Sequence, residues 1–188
     1  MTFAPTAEGA ANATLTFTTN DLAQPSASIL LTGTGVRPVI SVPPELAFGE
    51  HRVGVPGVQR ALVVSNTGTG TLHISNPSIS PPGAYSVTQS TLDVPAGESR
   101  NLTVTFLPPA TGLVPATLTL TTSDVVTPTI NISLTGTGVR PTISVASSLP
   151  FGEQRVGASP SATLDLVVNN TGTGLLQITS HSLGGTGA

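Results

Sequence analysis

The chain has 188 residues and a formal net charge of −3, and only 8% of its residues are charged, with six arginines and no lysine. So little positive charge excludes a nucleic-acid backbone as a partner, and the absence of cysteine excludes thiol catalysis, cysteine metal sites and disulfides. Apolar runs such as 29–31 and 62–64 fall far short of the ~20 residues of a membrane-spanning helix, so no membrane insertion is expected.

The N-terminus, MTFAPTAEGAANATLTF, has neither a basic region nor an apolar core and does not read as a signal peptide. It reads as the tail of a unit that recurs. FAPTAEGAANATLTFTTND at 3–21 lies over FLPPATGLVPATLTLTTSD at 106–124. LTGTGVRP at 31–38 returns unchanged at 134–141, so the spacing is 103 residues (Gly33 to Gly136). FGEHRVG at 48–54 answers FGEQRVG at 151–157. After one inserted residue, LVVSNTGTGTLHI at 62–74 answers LVVNNTGTGLLQI at 166–178. A period this long marks a whole domain rather than one coil of a β-helix. The expected division is the C-terminal part of a repeat at 1–36, a complete repeat at 37–139 and the N-terminal half of another at 140–188. The chain reads as a piece of a longer array, with Met1 an internal start or an added residue.

Within the complete repeat, strands are expected at 39–42, 46–48, 59–65, 71–76, 85–94 (continuous or broken), 100–106, 115–122 and 128–134. Period-2 alternation carries these assignments. NLTVTF at 101–106 sets Leu102, Val104 and Phe106 on one face, with Thr103 and Thr105 on the other. The same pattern turns Leu62, Val64, Leu72, Ile74, Leu118, Leu120, Ile130, Ile132 and Leu134 inward. Prolines interrupt every candidate helix. Strands so spaced imply an all-β fold of tandem immunoglobulin-like β-sandwich repeats, one complete and two partial, at ~100 residues each. Without a cysteine pair or tryptophan it is not an antibody-type domain. The last strand is expected to end at Leu134. The short linker 135–141 restricts rotation, and Gly136 and Gly138 are expected to supply a positive-φ turn.

These residues carry a resemblance. A strand ending in Asn with a Gly-bearing turn and an alternating strand occurs at Asn66, Gly68, Gly70 and Leu72, and again at Asn170, Gly172, Gly174 and Leu176. Phe106, Pro108 and Gly112 form an aromatic-x-Pro stretch with a later glycine. Leu31, Gly33 and Gly35, and Leu134, Gly136 and Gly138, form a Leu-x-Gly-x-Gly strand end. Phe48-Gly49 and Phe151-Gly152 lie near the repeat start. In this order they resemble the ASH domains of abnormal-spindle and Hydin proteins, and their bacterial relatives in choice-of-anchor D proteins. The resemblance implies a non-enzymatic immunoglobulin-like module, found in large secreted or surface proteins of bacteria and in ciliary and centrosomal proteins of eukaryotes.

No residue set carries chemistry of its own, so no catalytic, cofactor or metal site is expected. His73 lies on the outward face of a strand and His51 beside a turn, and the other repeat holds Gln177 and Gln154 in their places. His181 has no second copy. A zinc site needs three or four convergent ligands. No GxSxG supports a Ser-His-Asp centre. The TGTG segments open no helix and read as turns rather than phosphate loops. Asp21, Asp93, Asp124 and Asp165 never form a calcium loop. Asn12, Asn101, Asn131 and Asn169 stand in N-x-S/T triplets, which matter only in a secreted eukaryotic protein. Arg37 and Arg140, Glu50 and Glu153, and Arg52 and Arg155 recur in pairs. They read either as ion pairs that fix the angle between repeats or as surface solubility.

Two roles follow. One is a spacer or adhesion segment of a larger bacterial surface or secreted protein, favoured by a Thr/Ser/Gly-rich, nearly neutral, lysine-free surface. The other is a ciliary or centrosomal scaffold, for which six scattered arginines suit an acidic tubulin surface poorly. Protein partners or neighbouring repeats are expected in either case. The partial repeats leave Leu15, Phe17, Ile29 and Leu31 uncovered at one end and Leu164, Leu166, Leu176 and Ile178 at the other. Since the strand at 174–180 matches the partner of the strand at 14–20, two outcomes stand open: head-to-tail self-association by strand addition, or loosely packed ends that intact neighbouring repeats complete in the parent protein.

Overall fold

The computed structural model describes residues 1–157, 159 and 162–185. Of the segment 140–188, residues 158, 160, 161 and 186–188 therefore lie outside the described residues. Fourteen strands and no helix occur among the described residues.

Residues 40–139 form a two-sheet sandwich of immunoglobulin-like type. The smaller sheet holds β3 (Ile40–Ser41), β5 (Val58–Asn66), β9 (Ser99–Phe106) and β7 (Tyr85–Val87), in that order. The larger sheet is built on β12 (Thr129–Val139). Along one flank of β12 run β10 (Gly112–Leu113) and β11 (Ala116–Thr122), both antiparallel to it. β11 then pairs with β6 (Leu72–Ser80), which pairs with β8 (Thr91–Val94). The other flank of β12 takes β4 (Glu45–Arg52) in parallel.

Alternation places the core as the sequence implies. Leu62 and Val64 from β5 and Leu102, Val104 and Phe106 from β9 meet Leu72 and Ile74 from β6, Leu118 and Leu120 from β11 and Ile132 and Leu134 from β12, all at most 1% exposed. Of the expected core, Ile130 is only partly buried, at the margin of the cluster. Tyr85 and Phe48 complete an aromatic group on Phe106, with ring centroids 4.7 and 5.5 Å away. The Tyr85 hydroxyl donates to the Val114 carbonyl at 2.7 Å, and burial pushes its pKa up to about 12.

Three boundaries differ from expectation. β4 runs to Arg52, because a bulge at Phe48–Gly49 lets the ladder resume: Ala47 faces Thr135 and Glu50 faces Thr137. β6 runs to Ser80 past a register shift. β12 does not stop at Leu134, so most of the supposed linker is strand, held by β4 and β10. Gly136 and Gly138 are accordingly not positive-φ turn residues. A Cβ on Gly136 would lie 2.6 Å from the Phe106 ring, and one on Gly138 would strike the Ala110 carbonyl. Glycine is required there because other groups approach the backbone closely, not for a turn.

The flanking segments repeat parts of this plan. β1 (Gly9–Thr18) and β2 (Ser26–Gly35) form a hairpin in the β10/β11–β12 register: Leu15 faces Ile29 as Leu118 faces Ile132. β13 (Ile143–Val145) pairs with β14 (Val168–Asn170), Ile143 facing Asn170 as Ile40 faces Asn66. Residues 151–157, by contrast, form no strand. Their counterpart β4 depends on β12, and no such strand follows them among the described residues.

Candidate functional site

The feature the molecule builds most carefully is the junction where the chain enters each unit. At residues 36–40, Val36 leaves the hairpin and Arg37-Pro38 crosses to β3. Proline fixes the backbone there and brings no N–H to satisfy. The turn 67–70 folds back over this crossing. The Thr69 and Gly70 amides donate to the Arg37 carbonyl at 2.8 and 3.2 Å, and the Thr67 amide to the Val39 carbonyl at 2.9 Å. The Arg37 amide donates to Thr69 Oγ1 at 3.1 Å.

Asn66 is the centre of this arrangement and is 1% exposed. Its Oδ1 accepts from the Val39 and Gly68 amides at 3.1 and 3.0 Å. Its Nδ2 donates to the Gly70 and Val94 carbonyls at 2.7 and 2.9 Å. A side-chain amide, with one acceptor oxygen and two donor hydrogens, satisfies all four groups at once. Asp124, 2% exposed, closes the other side. Its Oδ2 accepts from the Ile40 amide at 3.1 Å and its Oδ1 from the Val126 amide at 3.0 Å. Burial pushes this carboxyl up, but the Val126, Ile40 and Thr127 amides and the Arg37 guanidinium outweigh it and hold the carboxyl below its ordinary range.

The second crossing copies the first. The Thr173 and Gly174 amides donate to the Arg140 carbonyl at 2.9 and 3.2 Å, and the Thr171 amide to the Thr142 carbonyl at 2.9 Å. The Arg140 amide donates to Thr173 Oγ1 at 3.1 Å. Asn170 accepts from the Thr142 and Gly172 amides at 3.1 and 3.0 Å and donates to the Gly174 carbonyl at 2.7 Å. The distances agree with those at Asn66 to about 0.1 Å, although Asn170 is exposed.

The recurrent charges divide. Arg37 pairs with Glu8 of the hairpin at 3.6 Å, and Thr69 Oγ1 donates to the same carboxylate at 2.6 Å, which ties hairpin to sandwich across the junction. Thr111 occupies the place of Glu8 at the second junction, and Arg140 makes no ion pair among the described residues. Neither Glu50 nor Arg52 joins an ion pair among the described residues, so those recurrences do not set an angle. Both partners of the Arg37–Glu8 pair are about half exposed, which limits it to ~0–1 kcal/mol.

The remaining candidates stay apart. His73 faces Asp93 across β6–β8, Nδ1 to Oδ1 at 2.7 Å, on the exposed face. Ser123 Oγ accepts from the His73 backbone amide, not from the ring. His51 lies near the end of β4, beside the turn at 53–54, and its Nε2 donates to the Pro56 carbonyl at 2.8 Å. His181 is exposed outside any strand. Among the described residues no three His, Asp or Glu side chains gather, and no helix is long and apolar enough to cross a membrane. Asp21 makes the same local turn as Asp124, accepting from the Ala23 amide at 2.9 Å. Asn12, Asn101, Asn131 and Asn169 are exposed on strands.

The family model for ASH (Abnormal spindle-like microcephaly-assoc'd, ASPM-SPD-2-Hydin) matches residues 34–130. The chain belongs to this family. No curated protein matches it in sequence. Among solved structures, the ASH/PapD-like domain of human CEP192 is 14% identical, with 54% of this chain and 85% of that one covered at a TM-score of 0.45. A protein of unknown function from Porphyromonas gingivalis is 15% identical, with 70% and 67% covered at 0.48. The E. coli chaperone DraB is 10% identical, with 52% and 54% covered at 0.39. The ASH match spans the first junction, the Asn66 turn and most of the sandwich.

Proposed function

We propose that the chain is a non-enzymatic spacer or adhesion segment of a larger bacterial protein, displayed at the cell surface or secreted. Its units are the tandem repeats 1–36, 37–139 and 140–188. The observation that carries this reading is the junction: two crossings 103 residues apart (Arg37 and Arg140) share one hydrogen-bond pattern. Both patterns hold the entering segment of a unit against that unit's own turn, and Glu8 of the preceding segment reaches across to Arg37 and Thr69; an entry held in one geometry is what a stalk requires. The lysine-free, Thr/Ser/Gly-rich surface supports an extracellular setting. The partners are neighbouring repeats and other proteins, with self-association through the partial repeats.

Antibody raised against 37–139 tests the location. Labelling of intact source cells, or recovery from their medium, is expected. Labelling only after permeabilisation overturns the surface assignment, and a concentrated ciliary or centrosomal signal replaces it with the scaffold role.

A further inference from the structure

The two junctions share a backbone but differ in one charge. The loop before each crossing is folded alike: Gly9 and Gly112 take positive φ, 105° and 113°, and the Ala7 and Ala110 carbonyls press on Gly35 and Gly138 in the same way. Glu8 and Thr111, one residue before those glycines, therefore stand at the same point. At the first junction the Glu8 carboxylate takes two donors, the Arg37 guanidinium at 3.6 Å and the Thr69 hydroxyl at 2.6 Å. At the second, Arg140 and Thr173 keep the same places: the Arg140 amide donates to Thr173 Oγ1 at 3.1 Å, as the Arg37 amide does to Thr69 Oγ1. Thr111 brings no charge to them. Among the described residues the Arg140 guanidinium forms no ion pair, and the Thr173 hydroxyl has no counterpart of the Glu8 acceptor.

Each junction also holds an open cavity, of about 450 Å³ beside Glu8 and Arg37 and about 400 Å³ beside Thr111 and Arg140. At the first junction the unit after the crossing is the whole sandwich, and its Val125 lines the cavity without filling it. At the second the unit before the crossing is the whole sandwich, and its Pro109 and Ala110 line the cavity without filling it. The opening is thus a property of the junction itself. Asp124 does not replace Glu8 either: it is present at the first junction with its oxygens on the Ile40 and Val126 amides, and Glu8 makes the ion pair. The two linings differ in character. The first sets Glu8 and Arg37 among Val36, Pro38 and Val125 and is neutralised from within. The second sets Arg140 among Thr111, Thr142, Thr171 and Thr173, one positive charge among hydroxyls. Of these hydroxyls, Thr171 is turned to the Thr142 carbonyl at 3.5 Å.

We propose that the second junction receives a carboxylate side chain from a partner protein, in the place that Glu8 fills from within the chain at the first. This rests on reading the two crossings as equivalent junctions. The guanidinium fork matches a carboxylate, and the Thr173 hydroxyl adds a second donor at the position where Thr69 already serves one. The occupant is a glutamate or aspartate on an exposed partner segment, because a single carboxylate balances the single arginine that lines the site. The first junction, carrying its own acid, does not compete for the same partner, so the contact is confined to one of two otherwise matching crossings.

Nuclear magnetic resonance of the full chain tests this, with the capped tripeptide acetyl-Ala-Glu-Ala-amide as probe and acetyl-Ala-Gln-Ala-amide as control at constant ionic strength. The Glu peptide should shift the Thr173 and Gly174 amides and the Arg140 side-chain N–H, and leave the Thr69, Gly70 and Arg37 signals in place. The Gln peptide should shift neither set. Thr111→Glu, which supplies the acid from within, and Arg140→Gln should each weaken binding by about fivefold, the factor that matches the ~1 kcal/mol of an exposed ion pair. Glu8→Thr should make Thr69 and Arg37 respond as Thr173 and Arg140 do. Equal shifts at both junctions of the unaltered chain, no shift at Arg140, or unchanged binding in Thr111→Glu overturns the proposal. Such a failure leaves the spacer reading standing, since the hydrogen bonds of Asn66 and Asn170 need no external acid.

Discussion

Replacing Asn66 by alanine removes four hydrogen bonds in one step and exposes the logic of the junction. The Val39 and Gly68 amides and the Gly70 and Val94 carbonyls all lose their partner. The site is 1% exposed, so water does not readily replace the amide. A buried polar group left unpaired costs about 1–3 kcal/mol, and partial relaxation of the turn recovers some of four such costs. The expected loss is about 3–5 kcal/mol, near the upper limit for single substitutions and a large share of a total of about 5–15 kcal/mol. Asn170→Ala is the internal control: it removes three equivalent bonds at an exposed site where water substitutes, and the main transition should not move. Urea denaturation of the full chain followed by circular dichroism reads both. Equal shifts for the two variants, or a change below ~1 kcal/mol for Asn66→Ala, would refute the reasoning.

Other expectations follow from the same contacts. The folded-state carboxyl of Asp124 is held below its ordinary range, so its contribution is present above the unfolded value of about 3.9 and is lost as pH falls through the folded one. Asp124→Asn should lower stability at neutral pH and flatten the acid limb of a stability–pH curve. Gly136→Ala should cost about 1–3 kcal/mol, because its methyl meets the Phe106 ring; a neutral result would place the strand further from that ring. Leu118→Ala should cost about 2–5 kcal/mol, while Leu15→Ala at the equivalent place in the hairpin should leave the melt of the central sandwich unchanged.

The sandwich was legible because its strands alternate cleanly. Leu102-Thr-Val104-Thr-Phe106 states its own inward face, and the repeat makes each assignment twice. What escaped was everything set by a distant partner. Gly49 ends the alternation of β4, yet the strand resumes because β12 is there to receive it. Gly136 looks like a turn residue until Phe106 is placed on it, although the recurring spacing of Phe3 to Gly33 and Phe106 to Gly136 was in view. Asn66 stands out in the sequence as a motif residue, but its four bonds come from three separate segments. From sequence alone Asp124 reads only as an isolated carboxylate outside any calcium loop. Its signal lay in the recurrence of TTND at 18–21 as TTSD at 121–124, whose aspartate caps the same turn in both places. Glu8 gave no signal, since its counterpart is Thr111.

A junction that holds its neighbours at a fixed orientation gives a narrow distance distribution across it, and measuring that distribution is the direct test. Spin labels on Ser28→Cys in the hairpin and Thr91→Cys on β8 of the same molecule, diluted with unlabelled protein, report that geometry by pulsed dipolar spectroscopy. A single narrow distribution that broadens in Asn66→Ala is the predicted result. A broad distribution in the otherwise unaltered chain would contradict the account.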